Sequence, residues 1–280
     1  MRSGSVILAF IAALSASPAL AAPIPLSRAP AATLTVPTLD SGSQRIVPVD
    51  ADPVVVLTPP ALSAEELASV AQHVRNTLTG DLFDNFQLFL YVSKSESGPW
   101  AQRMFVLTKQ LDGTLAVLDN WPVSTGRERN ESNAAGKSLP SFTPQGYYQL
   151  DPARMYTSHR SLQWGDSMPY AMFFNWTRDG HATGLAIHAA TDDEVSLLGT
   201  RASAGCVRLS PEAAQNLFTL VQAEYRGASP MFEAYARNGS TGNGGDLHFN
   251  ADGSFQLADG YKVLVFIEDF GGDANVASLH

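Results

Sequence analysis

GLAIHAATDDEVSLLGTRASAGCVRLSPEAA, residues 184–214, holds the only cysteine of a 280-residue chain. GLAIH is a short apolar run after the Asp179-Gly180 turn signal, and it predicts a strand ending at His188. Ser210 has the chemistry of a helix N-cap, Pro211 suits the first helical position, and Glu212 sits where the helix dipole favours a negative charge. Ala214, Leu217, Phe218 and Val221 follow at i, i+3, i+4 and i+7, the spacing of one buried helix face. Cys206 therefore lies on a strand end or loop that feeds a helix anchored in the core. The intervening TDDEVSLLGTRAS is long enough to return the chain to the sheet end that carries His188.

Outward from this stretch the pattern is mostly that of strands. NFQLFLYVSK, from residue 85, alternates apolar and polar residues. WAQRMFVLTK and GTLAVLDNWPVST follow, bounded by turn residues such as Asp112-Gly113, and the three predict an antiparallel meander. GYYQL (146–150) is a further strand candidate, and VLVFIED (263–269) reads as a buried closing strand. Upstream, Ser63 caps a run in which Leu67, Val70, Val74 and Leu78 fall at helical spacing. Gly80 ends that run, which predicts an amphipathic helix over 63–80. Residues 225–260, with NGSTGNGGD, read as a surface excursion between the helix after the cysteine and the closing strand. The expected fold is mostly β, a sandwich of mixed sheets with one helix after the cysteine and one before the first strand.

The N-terminus MRSGSVILAFIAALSASPALAAP has a basic Arg2, an apolar stretch from Val6 to Leu14 and a small-x-small site at Ala19-Leu20-Ala21. That is the pattern of a secretory signal peptide over residues 1–21. Its apolar stretch is far below the roughly 20 residues a bilayer crossing needs. No anchor is expected after cleavage. Residues 22–62, rich in Pro, Ala, Ser and Thr, read as a linker, and 271–280 as a tail. The composition, 45% hydrophobic and 16% charged, is that of a globular protein, and the formal net charge of -9 argues against nucleic-acid binding.

An exported protein lives where cysteines usually pair, and a single cysteine cannot pair within its chain. Three readings follow: a buried inert thiol, an intermolecular bridge or a reactive thiol. A reactive thiol needs a base or a positive neighbour, because its ordinary pKa of about 8.5 keeps it protonated near neutrality. Of six histidines, His188 stands apart because the small Ala189 and Ala190 leave its ring open to a cleft. Arg201 and Arg208 could add positive potential near the sulfur. Gly205 lets a ligand approach and leaves backbone amides for an oxyanion hole.

These residues resemble the L,D-transpeptidases with a YkuD-type catalytic domain. The family pattern is a strand ending in histidine, a loop of about fifteen residues, then Ser-His-Gly-Cys, an apolar residue and Arg or Asn; this chain reads IH, AATDDEVSLLGTRA, SAGCVRL. VSTGR (123–127), TPQGYY (143–148) and MPYAMFF (168–174) occur in the family's order, and the resemblance covers roughly 85–224 plus the closing strand near 261–269, which implies a catalytic domain over 85–270 with 225–260 as an insertion. It implies that Cys206 is the nucleophile and His188 the base. It further implies that the Ala189 carbonyl orients the imidazole and that amides near Gly205 and Cys206 hold the oxyanion. Ser203, Arg208 and Tyr170 are the implied substrate-binding residues. The implied substrate is a peptidoglycan stem tetrapeptide, cleaved between its third and fourth residues through a thioester, with no cofactor or metal and a periplasmic site of action. One departure is Ala204, where many members have histidine.

Two other functions compete: a hydrolase of the same stems in which water resolves the thioester, and a non-catalytic wall-binding module, motivated by Ala204. HFNADGSFQLAD (248–259) approaches a calcium-loop spacing, but its first position is His248 and its last is Asp259 where a glutamate is expected. A hairpin at Asp252-Gly253 is the better reading. Asn238-Gly239-Ser240 matches a glycosylation acceptor.

Overall fold

The computed structural model describes residues 61–235 and 240–272. The signal sequence, most of the 22–62 linker, most of the 271–280 tail and Asn238-Gly239 of the acceptor motif lie outside the described residues. Among the described residues, no helix is long and apolar enough to cross a membrane.

Eight strands form one hydrogen-bonded sheet. In chain order they are β1 (Leu88–Ser93), β2 (Arg103–Lys109), β3 (Leu115–Pro122), β4 (Gly146–Tyr156), β5 (Ala171–Phe174), β6 (Ala186–Ala189), β7 (Val207–Leu209) and β8 (Val263–Glu268). Their order across the sheet is β7-β6-β5-β4-β8-β1-β2-β3. β1, β2 and β3 form the antiparallel meander. The closing strand β8 runs parallel to β1 and antiparallel to β4. β6 and β7 are the other parallel pair.

β4 runs beyond the GYYQL segment because it serves both halves of the sheet. Leu264 to Ile267 pair with Gln149 to Gly146, whereas β5 takes up Leu150, Met155 and Tyr156. The register shifts between Leu150 and Met155, around Pro152, which has no N–H to give a ladder. The two halves then share a core. Leu88, Leu90 and Val92 of β1 join Ile187 of β6, Val207 of β7 and the helix α3 (Pro211–Glu224), through Ala214, Leu217 and Val221. This is the expected mostly-β arrangement with a helix after the cysteine.

The opposite face of β1 is buried too. Phe89 and Tyr91 pack with Val70 and Val74 of helix α1 (Ala64–Thr77). That helix begins with a capping box. Ser63 Oγ accepts from the Glu66 N–H, and the Glu66 carboxylate accepts from the Ser63 N–H. It ends at Thr77, before the expected Gly80. Gly80 opens a second short helix, α2 (Gly80–Asn85), whose cap Thr79 accepts from Leu82 N.

The 225–260 segment is also more integrated than its glycine content suggests. Arg226–Pro230 pairs antiparallel with Leu257–Tyr261. Phe232 and Leu247 are buried in the second core, with the Phe232 ring against Phe86. The calcium-like stretch is a hairpin: Phe249 and Phe255 bridge, and the Asp252 carboxylate accepts from Ser254 N and Oγ.

Helix α3 fixes the strand that follows the thiol, so its buried face is a sensitive point. Leu217→Ala should lower stability by about 2–5 kcal/mol, read as a fall in the urea midpoint with unchanged slope. A loss below about 1 kcal/mol would show that the helix face carries little of the core.

Candidate active site

The parallel ladder of β6 and β7 sets the geometry. Its register places Ile187 beside Val207, His188 beside Arg208, and Ala189 beside Leu209. Side chains alternate along a strand, so Ile187, Ala189, Val207 and Leu209 enter the core with α3. His188 and Arg208 face the other way, as does Cys206, two residues before Arg208. Those three side chains line a single cavity of about 580 Å³. Cys206 packs at its floor against the small cluster of Met168, Ala171, Phe173 and Ala186.

His188 is buried, and its Nδ1 lies 2.8 Å from the Ala189 carbonyl. A carbonyl can only accept, so Nδ1 carries the proton and Nε2 is left as the base. Burial pulls the imidazole down to about 4; the Ala189 carbonyl opposes this, while Arg208 and His159 add to it. Burial pushes the Cys206 thiol up to about 11, with the Ala186 amide and Arg208 pulling down and Asp166 and Glu194 pushing up. The resting pair is a neutral thiol and a neutral imidazole. Cys206 as a residue is half-buried, and its Sγ lies 3.5 Å from the Gly184 carbonyl.

Arg208 is buried, with its Nη2 2.5 Å from Glu194 and 3.8 Å from Asp166. Its Nε is buried without a partner. Arg201, expected near the sulfur, is held elsewhere: its guanidinium binds Asp269 at 2.6 Å and the Lys94 carbonyl at 2.9 Å.

Three further expected site residues are placed as follows. Tyr170 is outside the cavity; its ring packs on Phe218 of α3 at 5.8 Å, on the core side. Ser203 is fully buried and serves the backbone, donating to the Cys206 carbonyl at 2.5 Å and accepting from the Gly205 N–H at 3.0 Å. Gly205 N–H is therefore already engaged. Gly205 has φ +118, and a Cβ there would lie 2.7 Å from the Phe142 carbonyl, so the position demands glycine for close approach. The Cys206 amide, by contrast, has no acceptor among the described residues.

The segments named with the signature converge on this loop. Ser124 exchanges both backbone hydrogen bonds with Arg208, and Thr125 O accepts from Ser203 N. Thr143 Oγ1 donates to the Gly205 carbonyl. MPYAMFF supplies β5, the neighbour of the His188 strand.

A model of the YkuD family, the L,D-transpeptidase catalytic domain, matches residues 97–259. The chain belongs to this family. Among solved structures, the chain is similar to an L,D-transpeptidase from Xylanimonas cellulosilytica, at 14% identity and a TM-score of 0.35, over 66% of this chain and 61% of that one. It is also similar to one from Mycobacterium smegmatis, at 14% identity and 0.34, over 65% and 59%. A third is LdtMt1 in complex with imipenem, at 16% and 0.34, over 65% and 59%. The chain thus spans about six-tenths of the length of these structures. No curated protein matches it.

Several cavity residues of this YkuD domain have no signal in the local sequence. His159, Asp166 and Glu194 line or charge the site, yet each is ordinary among its neighbours. Among the described residues, no cluster of three or more His, Cys, Asp or Glu side chains is placed to hold a metal.

Two pH effects follow. The unfolded chain takes up a proton at His188 below its ordinary value of about 6.5, whereas the fold excludes it down to about 4. Stability should therefore fall on acidification through that window, by roughly 3 kcal/mol from this group. Urea unfolding of His188→Asn should show a shallower acid loss than wild type; equal slopes would refute the assignment. Alkylation of Cys206 by iodoacetamide should keep accelerating toward about pH 11. A rate plateau near neutrality would instead indicate a resting thiolate.

Proposed function

We propose that the protein is an exported cysteine L,D-transpeptidase acting on peptidoglycan stem tetrapeptides, with Cys206 as nucleophile and His188 as general base and acid. The observation that carries this reading is the shared cavity face of Cys206 and His188, with Nδ1 of His188 committed to the Ala189 carbonyl. Residues 1–21 direct export and are removed, so the enzyme works at the wall on the periplasmic side. Residues 22–62 tether the catalytic domain, which occupies 85–270.

The chemistry starts from neutral partners. As Sγ attacks the carbonyl carbon of the third stem residue, its proton passes to His188 Nε2. The Cys206 amide donates to the developing oxyanion. The carbon–nitrogen bond to the terminal D-alanine then breaks, and Nε2–H protonates the departing amine. A thioester and free D-alanine result. An acceptor amine from a second stem attacks the thioester and gives a proton to Nε2. That proton returns to sulfur as the sulfur–carbon bond breaks. The neutral resting pair defers thiol deprotonation until the carbonyl is in place. Arg208 lines the same cavity as Cys206 and His188, which supports a substrate contact there.

The test is incubation of purified protein with tetrapeptide muropeptides, followed by product mass spectrometry. Wild type should release D-alanine and form 3-3 crosslinks. Tripeptide alone would make water the acceptor. Cys206→Ala should lose at least about 10³-fold in rate while keeping its thermal transition. A well-folded wild type that leaves the tetrapeptide intact sinks the proposal and favours a non-catalytic wall-binding role.

A further inference from the structure

From the way Thr143 grips the nucleophile loop, we infer that it is a positioning residue for the oxyanion hole, and that it sets the direction of the Cys206 amide by holding the Gly205 carbonyl. This rests on the assignment of Cys206 as nucleophile.

The argument is one of peptide geometry. The Gly205–Cys206 peptide is trans, as are all those described, so its C=O and N–H point in opposite directions. Thr143 Oγ1 donates to the Gly205 carbonyl at 2.7 Å, from a fully buried side chain. The carbonyl is thereby drawn toward Thr143, and the Cys206 N–H is turned away from it. Gly205, at φ +118, would without this contact be the freest hinge in the loop. Ser203 fixes the other side of the loop by holding the Cys206 carbonyl and the Gly205 N–H. Hydrogen bonding to a peptide carbonyl also polarises its N–H, which makes it a better donor.

Thr143 is itself held on three sides. Its Oγ1 accepts from Gly126 N at 2.8 Å, which leaves the hydroxyl proton for Gly205. Its N–H donates to the Glu128 carboxylate at 3.0 Å, and its carbonyl accepts from Lys94 Nζ at 2.8 Å. Lys94 and Glu128 pair at 2.7 Å. A buried lysine beneath a nucleophile loop that never meets substrate is accounted for by this role. It anchors the residue that aims the amide, and the neighbours of Thr143, Phe142 and Pro144, form part of the cavity wall.

The test separates reactions that build an oxyanion from one that does not. Imipenem acylates a thiol at a carbonyl, whereas iodoacetamide alkylates it by displacement at a saturated carbon. Thr143→Val should slow imipenem acylation by about 10- to 100-fold while leaving iodoacetamide alkylation within about twofold. On tetrapeptide stems, kcat should fall with KM little changed. Thr143→Ser, which keeps the hydroxyl, should restore acylation. Equal acylation by the valine variant and wild type overturns the inference. So does a parallel loss of acylation and alkylation, which marks general damage to the loop. A folded serine variant that loses acylation alone also overturns it, and this holds even where the valine variant fails to fold. A wild-type protein that takes no imipenem overturns the nucleophile assignment, and the positioning role with it.

Discussion

The parallel ladder between Ala186–Ala189 and Val207–Leu209 is the constraint on which the site depends. Strand alternation has period two, so a one-residue slip would send every side chain to the opposite face. Ile187 and Val207 are apolar and fully buried with α3. Reversing them would expose hydrocarbon and bury the His188 and Arg208 pair without its partners. The hydrophobic demand of one face therefore fixes the chemistry of the other. Helix α3 completes the constraint, because its apolar face can reach the core only if Ser210 starts the helix where Leu209 leaves the sheet.

Placing charges at such a floor is costly unless they are paired. Arg208 is paired through Nη2 with Glu194, which lies in the loop between the histidine and the cysteine, so the segment that returns the chain to the sheet also brings the counter-charge. His188 and Cys206 escape the same cost by staying neutral. The cost reappears as a base of low pKa and a thiol of high pKa. Under the proposed function, such a pair exchanges its proton as a carbonyl accepts the sulfur's electrons. Near the loop, a buried Lys94 pairs with a half-buried Glu128, and each is also hydrogen-bonded to the Thr143 backbone.

Much of this was readable where the signal is local. Ser63 with Glu66 and Ser210 with Pro211 mark helix starts through bonds spanning three residues. The segments read as alternating do form β1 and β2, although every residue of β1 is buried because both of its faces pack into a core. Gly80 misled because a glycine can close one helix or open the next, and only the Thr79 cap distinguishes them. Tyr170 stands next to Pro169 in a segment that matches the family, but whether its ring turns to the cavity or to Phe218 depends on a helix forty residues away. Ser203 and Gly205 satisfy each other across two residues, so the loop's own hydroxyl used up the amide that local reading left free.

By itself the sequence determined the repeating elements, the lone thiol, its histidine on a strand end and the helix that anchors them. Each of these follows from residues within a few positions of one another. Tertiary structure alone decided which amide remains free, which acids neutralise Arg208, and that Thr143 reaches Gly205. Arg208 meets Glu194 across 14 residues and Thr143 meets Gly205 across 62, separations at which local patterning carries no signal.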